Sequence, residues 1–452
     1  MKLYIILLAA GNSSRFGSNK LFFPYGGKKM YAYTLERMEK IKRKYGAETI
    51  LVSQYPKLRA AFGDEWTFIE NKEPMLGISH SVRLALESVK AKKKENFFLF
   101  SVCDQPFLKA ETLEKFLEHF FVSGKGIGCI CHGGVPGNPV VFRDDYREEL
   151  LNLTKDQGGK AVVKRHMEDV FLYETDEKEL RDMDESPLVV VRGGGDLASG
   201  TIHLLFRKGY RVLVLETKDP ACIRRQVSFC EAVYEGVQCV EGVTSVLCST
   251  EEDIRKGWIE KKVPVVIDPW GEQIPKWEPE VIVDAILAKR NLGTRKGMAP
   301  LTIGLGPGFT AGQDVDAVIE TMRGETLGKI FYKGSALPNT GIPGDIMGYS
   351  KERVIHAPAE GNIRYVRHIG DKVKKGDTLA FLGETEVTAT MDGLLRGAIK
   401  EGYPVRKGLK IMDIEPRIEE KERLFRISDK ATILAESVLQ VIQTWEREQC
   451  IS

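Results

Sequence analysis

The chain has 452 residues, a hydrophobic share of 42%, a charged share of 29% and a formal net charge of +2. That length implies about three domains, the composition is that of an ordinary globular protein, and the near-neutral balance excludes a large basic surface for nucleic acid. No apolar run approaches the ~18 residues of a membrane span, and the eight Cys include no Cys-x-x-Cys pair, which excludes the zinc and thioredoxin-like patterns and predicts a reduced, cytoplasmic protein.

Residues 3–9 read as a buried strand that runs into a loop with two glycines, Gly11 and Gly17, and two cations, Arg15 and Lys20. A parallel strand feeding such a loop presents backbone N–H groups where anions bind. Arg15 can fork onto phosphate oxygens and Lys20 can act as a point charge. The spacing Gly11-x-x-x-Arg15-x-Gly17-x-x-Lys20 fits neither the ATPase loop nor the dinucleotide loop. Further strands are predicted near 48–53, 97–102, 126–132 and 139–142, and helices near 29–45, 78–91, 110–122 and 158–167. Strands alternating with helices imply an α/β sandwich with a mostly parallel sheet. The strand at 97–102 ends in Cys103-Asp104-Gln105-Pro106. Three more polar segments follow the pattern of loops or helix starts: Gly77-Ile78-Ser79-His80-Ser81, Gly137-Asn138-Pro139, and Lys155-Asp156-Gln157-Gly158-Gly159-Lys160. A charged stretch, Asp176–Glu185, ends before a new apolar run and puts a domain boundary near 186.

In this order these motifs resemble those of nucleotidyltransferases of the molybdopterin and sugar-phosphate type, over about the first 185 residues. The Leu8-Ala9-Ala10-Gly11 start and the Asp104-Gln105-Pro106 run are similar to the molybdenum cofactor cytidylyltransferase branch. The resemblance implies transfer of CMP from CTP to molybdopterin, with Ala10 favouring CTP over GTP. It implies Arg15 and Lys20 on the triphosphate, Asp104 on Mg²⁺, and Asp156 as a second metal contact. Ala10, Gly11, Gly77, Ser79 and Gln105 fall among the substrate-binding residues, and Gly137, Asn138 and Pro139 form a loop on the pterin side.

The second domain, 187–350, opens with a predicted strand at 188–192, a glycine turn at 193–195 and a helix to about 208, then a strand at 210–216. Gly193-x-Gly195-x-x-Ala198 satisfies a variant dinucleotide fingerprint, and Glu216 lies 21 residues past Gly195, where it would accept from ribose hydroxyls. A cofactor held this way would be NAD or another phosphate-bearing ligand. The same glycines would serve helix–strand packing with no cofactor. Arg224-Arg225 is read as a surface pair, since neighbouring side chains on a helix diverge. The segments 192–200, 223–229, 288–294, 304–309 and 338–341 resemble an accessory family associated with selenium-dependent molybdenum hydroxylases, which implies a molybdenum hydroxylase apoenzyme as partner.

From 351 to 417 the chain repeats itself: Ala357, Gly361, Gly370, Val373 and Gly376 recur 32 residues later as Ala389, Gly393, Gly402, Val405 and Gly408. Two copies of short β units resemble the biotinyl/lipoyl barrel-sandwich fold, with glycines at the corners. The tip, Gly383-Glu384-Thr385-Glu386, offers no lysine for a swinging arm. The tail, 418–452, becomes amphipathic from Asp429 to Glu446; its stripe packs on its own chain or, alternatively, forms a homodimer helix. The expected function is Mg²⁺-dependent cytidylyl transfer in molybdenum cofactor maturation. The alternatives are a non-catalytic cofactor-insertion chaperone and a nucleotidyltransferase acting on another small phosphate acceptor.

Overall fold

The computed structural model describes residues 1–11, 19–90, 95–183, 185–341, 344 and 346–451. The chain divides into two compact units, Met1–Ser186 with Gln443–Ser452, and Pro187–Ile442.

In the first unit, β1 (Lys2–Ala9) is followed by α1 (Met30–Tyr45), β2 (Glu48–Ser53), α2 (Pro56–Phe62), β3 (Thr67–Glu70), α3 (Ile78–Ser88), β4 (Asn96–Val102), α4 (Ala110–Ser123), β5 (Ile127–His132), β6 (Val135–Arg143), α5 (Gly159–Arg165) and β7 (Val170–Glu174). Among the described residues these strands form one sheet in the order β3-β2-β1-β4-β6-β5-β7. The pairs β1·β2, β1·β4, β2·β3 and β5·β7 are parallel, and β6 runs antiparallel to both its neighbours. The apolar run of β1 has no polar face because side chains alternate across a sheet covered on both sides. Leu3, Ile5 and Leu7 join a core with Met38 and Ile41 of α1 and Phe116 of α4. Tyr4 and Ile6 join the opposite core with Val82 and Ala85 of α3 and Val162 of α5.

Strand β6 corrects the expected loop at 137–139. It begins at Val135, so Gly137, Asn138 and Pro139 lie inside it. The register against β5 shifts between Cys129 and Cys131, and such a bulge admits a proline, which cannot donate to a ladder. The end of the last helix contributes to this unit: the buried Glu446 carboxylate accepts from the Gly26 N–H at 2.7 Å.

In the second unit β8 (Leu188–Arg192), α6 (Asp196–Arg207) and β9 (Arg211–Glu216) form a parallel βαβ opening. They are followed by β10 (Val237–Val240), β11 (Val243–Leu247), α7 (Glu251–Ile259), β12 (Val263–Ile267), β13 (Val281–Asp284), β14 (Leu301–Leu305), β15 (Ala317–Ile319) and β16 (Ile330–Phe331). The sheet order is β10-β11-β12-β9-β8-β13-β14-β15-β16 among the described residues. Strands β11 to β15 are parallel and only the two edge pairs are antiparallel. The chain leaves β8 toward β9 on one side and returns through β13 on the other, so the order reverses between β8 and β13. In open α/β sheets ligands bind beyond the carboxyl ends of strands at such a reversal.

The 32-residue repeat has a direct structural counterpart. β18 (Gly361–Tyr365), β19 (Lys372–Val373) and β20 (Thr378–Leu382) recur at that offset as β22 (Gly393–Ala398), β23 (Pro404–Val405) and β24 (Lys410–Glu415). With β17 (Val354–His356) and β21 (Thr385–Thr388) they make two antiparallel four-stranded sheets, β17-β24-β22-β19 and β21-β20-β18-β23. Val373 and Val405, at matching places, share one core with Leu379, Leu395 and Ile411. This β region and the larger sheet belong to one unit, joined by bonds such as Ala398 N–H to Ile223 O at 2.7 Å.

The final helix, α8 (Asp429–Ile451), buries Leu434, Val438, Val441 and Ile442, while Ile433 is 39% exposed. Its beginning lies against α6, where a Cβ added to Gly200 would sit 2.5 Å from the Ala431 carbonyl oxygen. None of the described helices is long and apolar enough to cross a membrane. Gly200→Ala should therefore destabilise the second unit by about 1–3 kcal/mol, despite the better helix propensity of Ala. Gly195→Ala should leave the melting temperature unchanged, because a Cβ there meets nothing within 4 Å. Thermal unfolding of the two variants checks this.

Candidate functional site

The site begins where β1 ends. The ladder ends at Ala9, and two side chains after β2 donate to the next two carbonyls. Gln54 Nε2 donates to Ala10 O and the Tyr55 hydroxyl donates to Gly11 O, both at 2.7 Å. Burial pushes the Tyr55 phenol up, which keeps it a donor. Ala10 is buried, and a Cβ on Gly11 would meet nothing within 4 Å. Arg15 and Gly17 lie outside the described residues. On the far side of the loop, Asn19 caps a short turn, its Oδ1 accepting from Leu21 N–H at 3.1 Å. That turn carries Lys20, whose ammonium forms an ion pair with Asp104 Oδ2.

Asp104 follows β4, two residues beyond Val102. Both partners of the pair are only 17% exposed at the side chain. The other carboxylate oxygen, Asp104 Oδ1, is buried with no hydrogen-bond partner among the described residues. An unsatisfied buried carboxylate oxygen is costly, so this atom is placed to receive something the described residues do not supply. The adjoining Cys103 thiol is buried and pushed up by that burial, which leaves it inert.

The second wall is built by Gly77 and Ser79. The Ser79 hydroxyl and N–H both donate to Lys155 O, at 2.7 and 3.2 Å. Lys155 holds a left-handed φ of 53°, a strained conformation of the kind found at functional sites. Gly77 is required for space: a Cβ there would come within 2.6 Å of Asp156 Oδ1. The turn lets Asp156 join Asn138, Lys160, Ile78, Leu8 and Phe100 around a cavity of about 260 Å³. Its floor is apolar and its rim carries an amide, a carboxylate and an ammonium, the make-up of a small-molecule site.

Three expected site residues serve the fold instead. Gln105 is 2% exposed and donates through Nε2 to Leu180 O at 3.2 Å. Gly137 makes room for Leu180, whose Cδ1 would lie 3.1 Å from an added Cβ. Pro139 is buried in β6. Among the described residues no three acidic, His or Cys side chains gather into a metal-binding group, so Asp104 and Asp156 are not joined by a third ligand. Lys160, Gln54 and Tyr55 are the residues that sequence reasoning did not assign.

In the second unit the glycine loop differs from the expected dinucleotide cradle. Glu216 Oε1 accepts from Gly194 N–H and Oε2 from Thr217 N–H, both at 2.7 Å. Each carboxylate oxygen thus already accepts a bond from the backbone of its own loop. Burial pushes the Glu216 pKa up. Gly193, at φ 90°, is required by the close approach of Ala285 O, 3.1 Å from an added Cβ. Gly195 faces open space.

Residues 5–170 match the family model of the MobA-like NTP transferase domain, so the N-terminal part of this chain carries a domain of that family. The chain is also 47% identical over 255 residues to the uncharacterized protein YqeB of Escherichia coli strain K12, across 56% of this chain and 47% of the relative. It thus spans about half the length of the curated relative it matches. Among solved structures, Rv0371c from Mycobacterium tuberculosis H37Rv is 24% identical, with a TM-score of 0.34, covering 41% of this chain and 94% of the other. The molybdopterin-guanine dinucleotide biosynthesis protein A of Archaeoglobus fulgidus is 18% identical with a TM-score of 0.30, covering 38% and 83% respectively.

Gly77→Ala should displace the Lys155–Asp156 turn, weaken binding of a nucleoside triphosphate with Mg²⁺, and cost about 1–3 kcal/mol of stability. Calorimetric titration and thermal unfolding of the variant test both effects.

Proposed function

We propose that the first unit transfers CMP from CTP to the terminal phosphate of molybdopterin and releases pyrophosphate. The observation that carries this reading is the Lys20–Asp104 pair with its one carboxylate oxygen unpartnered among the described residues, two residues beyond Val102, which lines a cavity of small-molecule size. Phosphoryl-type transfer asks little covalent work of the protein; it needs positioning and neutralisation of charge. The donor set fits Mg²⁺, which is commonly held by one or two carboxylates with substrate phosphates and water completing its shell. When bound, Mg²⁺ would neutralise charge on the triphosphate. Asp104 Oδ1 would hold it and Asp156 would be a second contact from the cavity rim. Lys20 would exchange its internal partner for a phosphate oxygen, with Arg15 assigned the same task from the motif alone. Asn138 and Lys160 would orient the acceptor against the apolar floor. Leu8-Ala9-Ala10-Gly11 supports CTP over GTP through the resemblance to the cytidylyl branch.

The second unit would deliver or finish the cofactor for a molybdenum hydroxylase in the cytoplasm, with selenium use implied by the accessory-family resemblance. The two small sheets with their 32-residue symmetry support a barrel-sandwich module that acts as a docking or structural element, since its tip lacks a lysine.

With molybdopterin and Mg²⁺, pyrophosphate release should be faster with CTP than with GTP. Asp104→Asn should slow it by about a hundredfold or more while the chain stays folded, with a lowered melting temperature because Lys20 loses its buried partner. A preference for GTP would remove the cytidylyl assignment, and an Asp104→Asn variant with undiminished turnover would remove the metal role. Binding of CTP with no pyrophosphate release from any acceptor would favour the insertion chaperone.

A further inference from the structure

Cations from separate stretches of the second unit converge on the amino terminus of α6. Gly193–Gly195 leads into that helix, and Gly195 faces open space. Contact between Gly200 and Ala431 sets Lys430 beside the first turns of α6. Arg224 arrives from beyond β9. It is not the surface residue expected from the sequence but is 4% exposed, and its Nη2 clasps Leu424 O and Arg426 O at 3.3 and 3.0 Å. Among the described residues its Nη1 and Nε have no hydrogen-bond partner, and Nη1 lies 3.7 Å from Oδ2 of the first helical residue, Asp196. Arg225 differs again, pairing with Glu231 at 2.6 Å.

The carboxylates nearby are largely engaged elsewhere. Asp413 is shared by Arg353 and Arg396 at 3.3 and 3.4 Å, and Glu415 holds Arg417 at 2.7 Å. Glu320, fully buried, accepts from the Thr321, Met322 and Leu337 N–H groups. Arg323 and Lys430 have no ion pair among the described residues. Burial, then the charge of Arg396, holds Arg323 below its ordinary value, with Asp429 acting the other way; burial, then the charge of Arg323, holds Lys430 below its own, with Asp196 and Glu320 acting the other way. Gathering like charges destabilises a fold, and an anion would relieve it. Asp196 is the internal stand-in for that anion at Arg224.

We propose that this end of the second unit is a binding site for a phosphate-bearing small molecule, its phosphoryl group seated between the amino terminus of α6 and the side chains of Arg224, Arg323 and Lys430. A helix amino terminus with convergent cations is suited to phosphate. Glu216, the acceptor expected for ribose hydroxyls, is already engaged by Gly194 and Thr217 N–H. Recognition therefore centres on the phosphoryl group, and a nucleoside adds little.

The test uses the full chain in a Lys20→Ala background without Mg²⁺, which suppresses anion binding by the first unit. Inorganic pyrophosphate and NAD⁺ are titrated calorimetrically, with amide hydrogen exchange to locate protection. Pyrophosphate should bind and protect residues 193–200 and 426–432. The Arg323→Ser/Lys430→Met double variant should weaken binding about tenfold or more, the scale of lost charge-assisted bonds. Asp196→Asn, which removes the competing charge without touching the cations, should tighten it. NAD⁺ bound more than tenfold tighter than pyrophosphate would overturn the phosphoryl-centred recognition. Absence of protection at 193–200, or a double variant that binds as tightly as its parent, would overturn the site itself.

Discussion

Parallel pairing of β1 with β4 governs the first unit. The two strands run in register from Lys2 opposite Asn96 to Leu8 opposite Val102, so the residues after each strand leave the sheet at the same edge. Lys20 and Asp104, distant in sequence, meet there because the ladder leaves them no other exit. The same ladder forces the apolar residues of β1 into two cores at once. A slip of one residue would exchange those faces and separate the ion pair together with the core.

The polar edge created by this constraint is held by groups that come from elsewhere in the chain. Gln54 and Tyr55 donate to the carbonyls of Ala10 and Gly11, and Ser79 donates to that of Lys155. The Ser79 bond fixes the turn whose next residues, Asp156 and Lys160, line the cavity. The second unit follows the same plan with different chemistry. There the glycine loop is closed by Glu216, and cations rather than carboxylates collect outside it. One edge of each sheet is thus charged, with acidic and basic groups paired in the first unit and with basic groups in excess in the second.

Much of this was legible in the sequence where a local pattern decides the outcome. The strands at β1, β2 and β4 and the helices α1 and α4 stand within one or two residues of their expected places, because their apolar periodicity is unambiguous. The glycine corners of the repeat carry the same left-handed backbone in both halves, as at Gly370 and Gly402 with φ of 98° and 78°. Less legible were features fixed by tertiary contact. Gly137 and Pro139 look like loop residues, yet a register shift keeps them inside a strand. Arg224 looks like half of a surface pair, and only the packing of the β region and the 418–425 turn buries it. Glu216 stands at the expected distance from its fingerprint, but distance along the chain does not say which way a carboxylate turns. Asp104 was recognisable as an acid at a strand end, while its unsatisfied oxygen depends on Lys20 taking only the other one.

The long last helix has a consequence for biosynthesis. The acceptor for the Gly26 N–H is Glu446, 420 residues further along the chain. During vectorial synthesis, at about 5–20 residues per second, the first unit therefore waits on the order of half a minute for this buried partner, while the second unit emerges between the two. Until then the Gly26 N–H lacks its buried acceptor, and a ribosome that stalls late releases a chain whose first part is still incomplete.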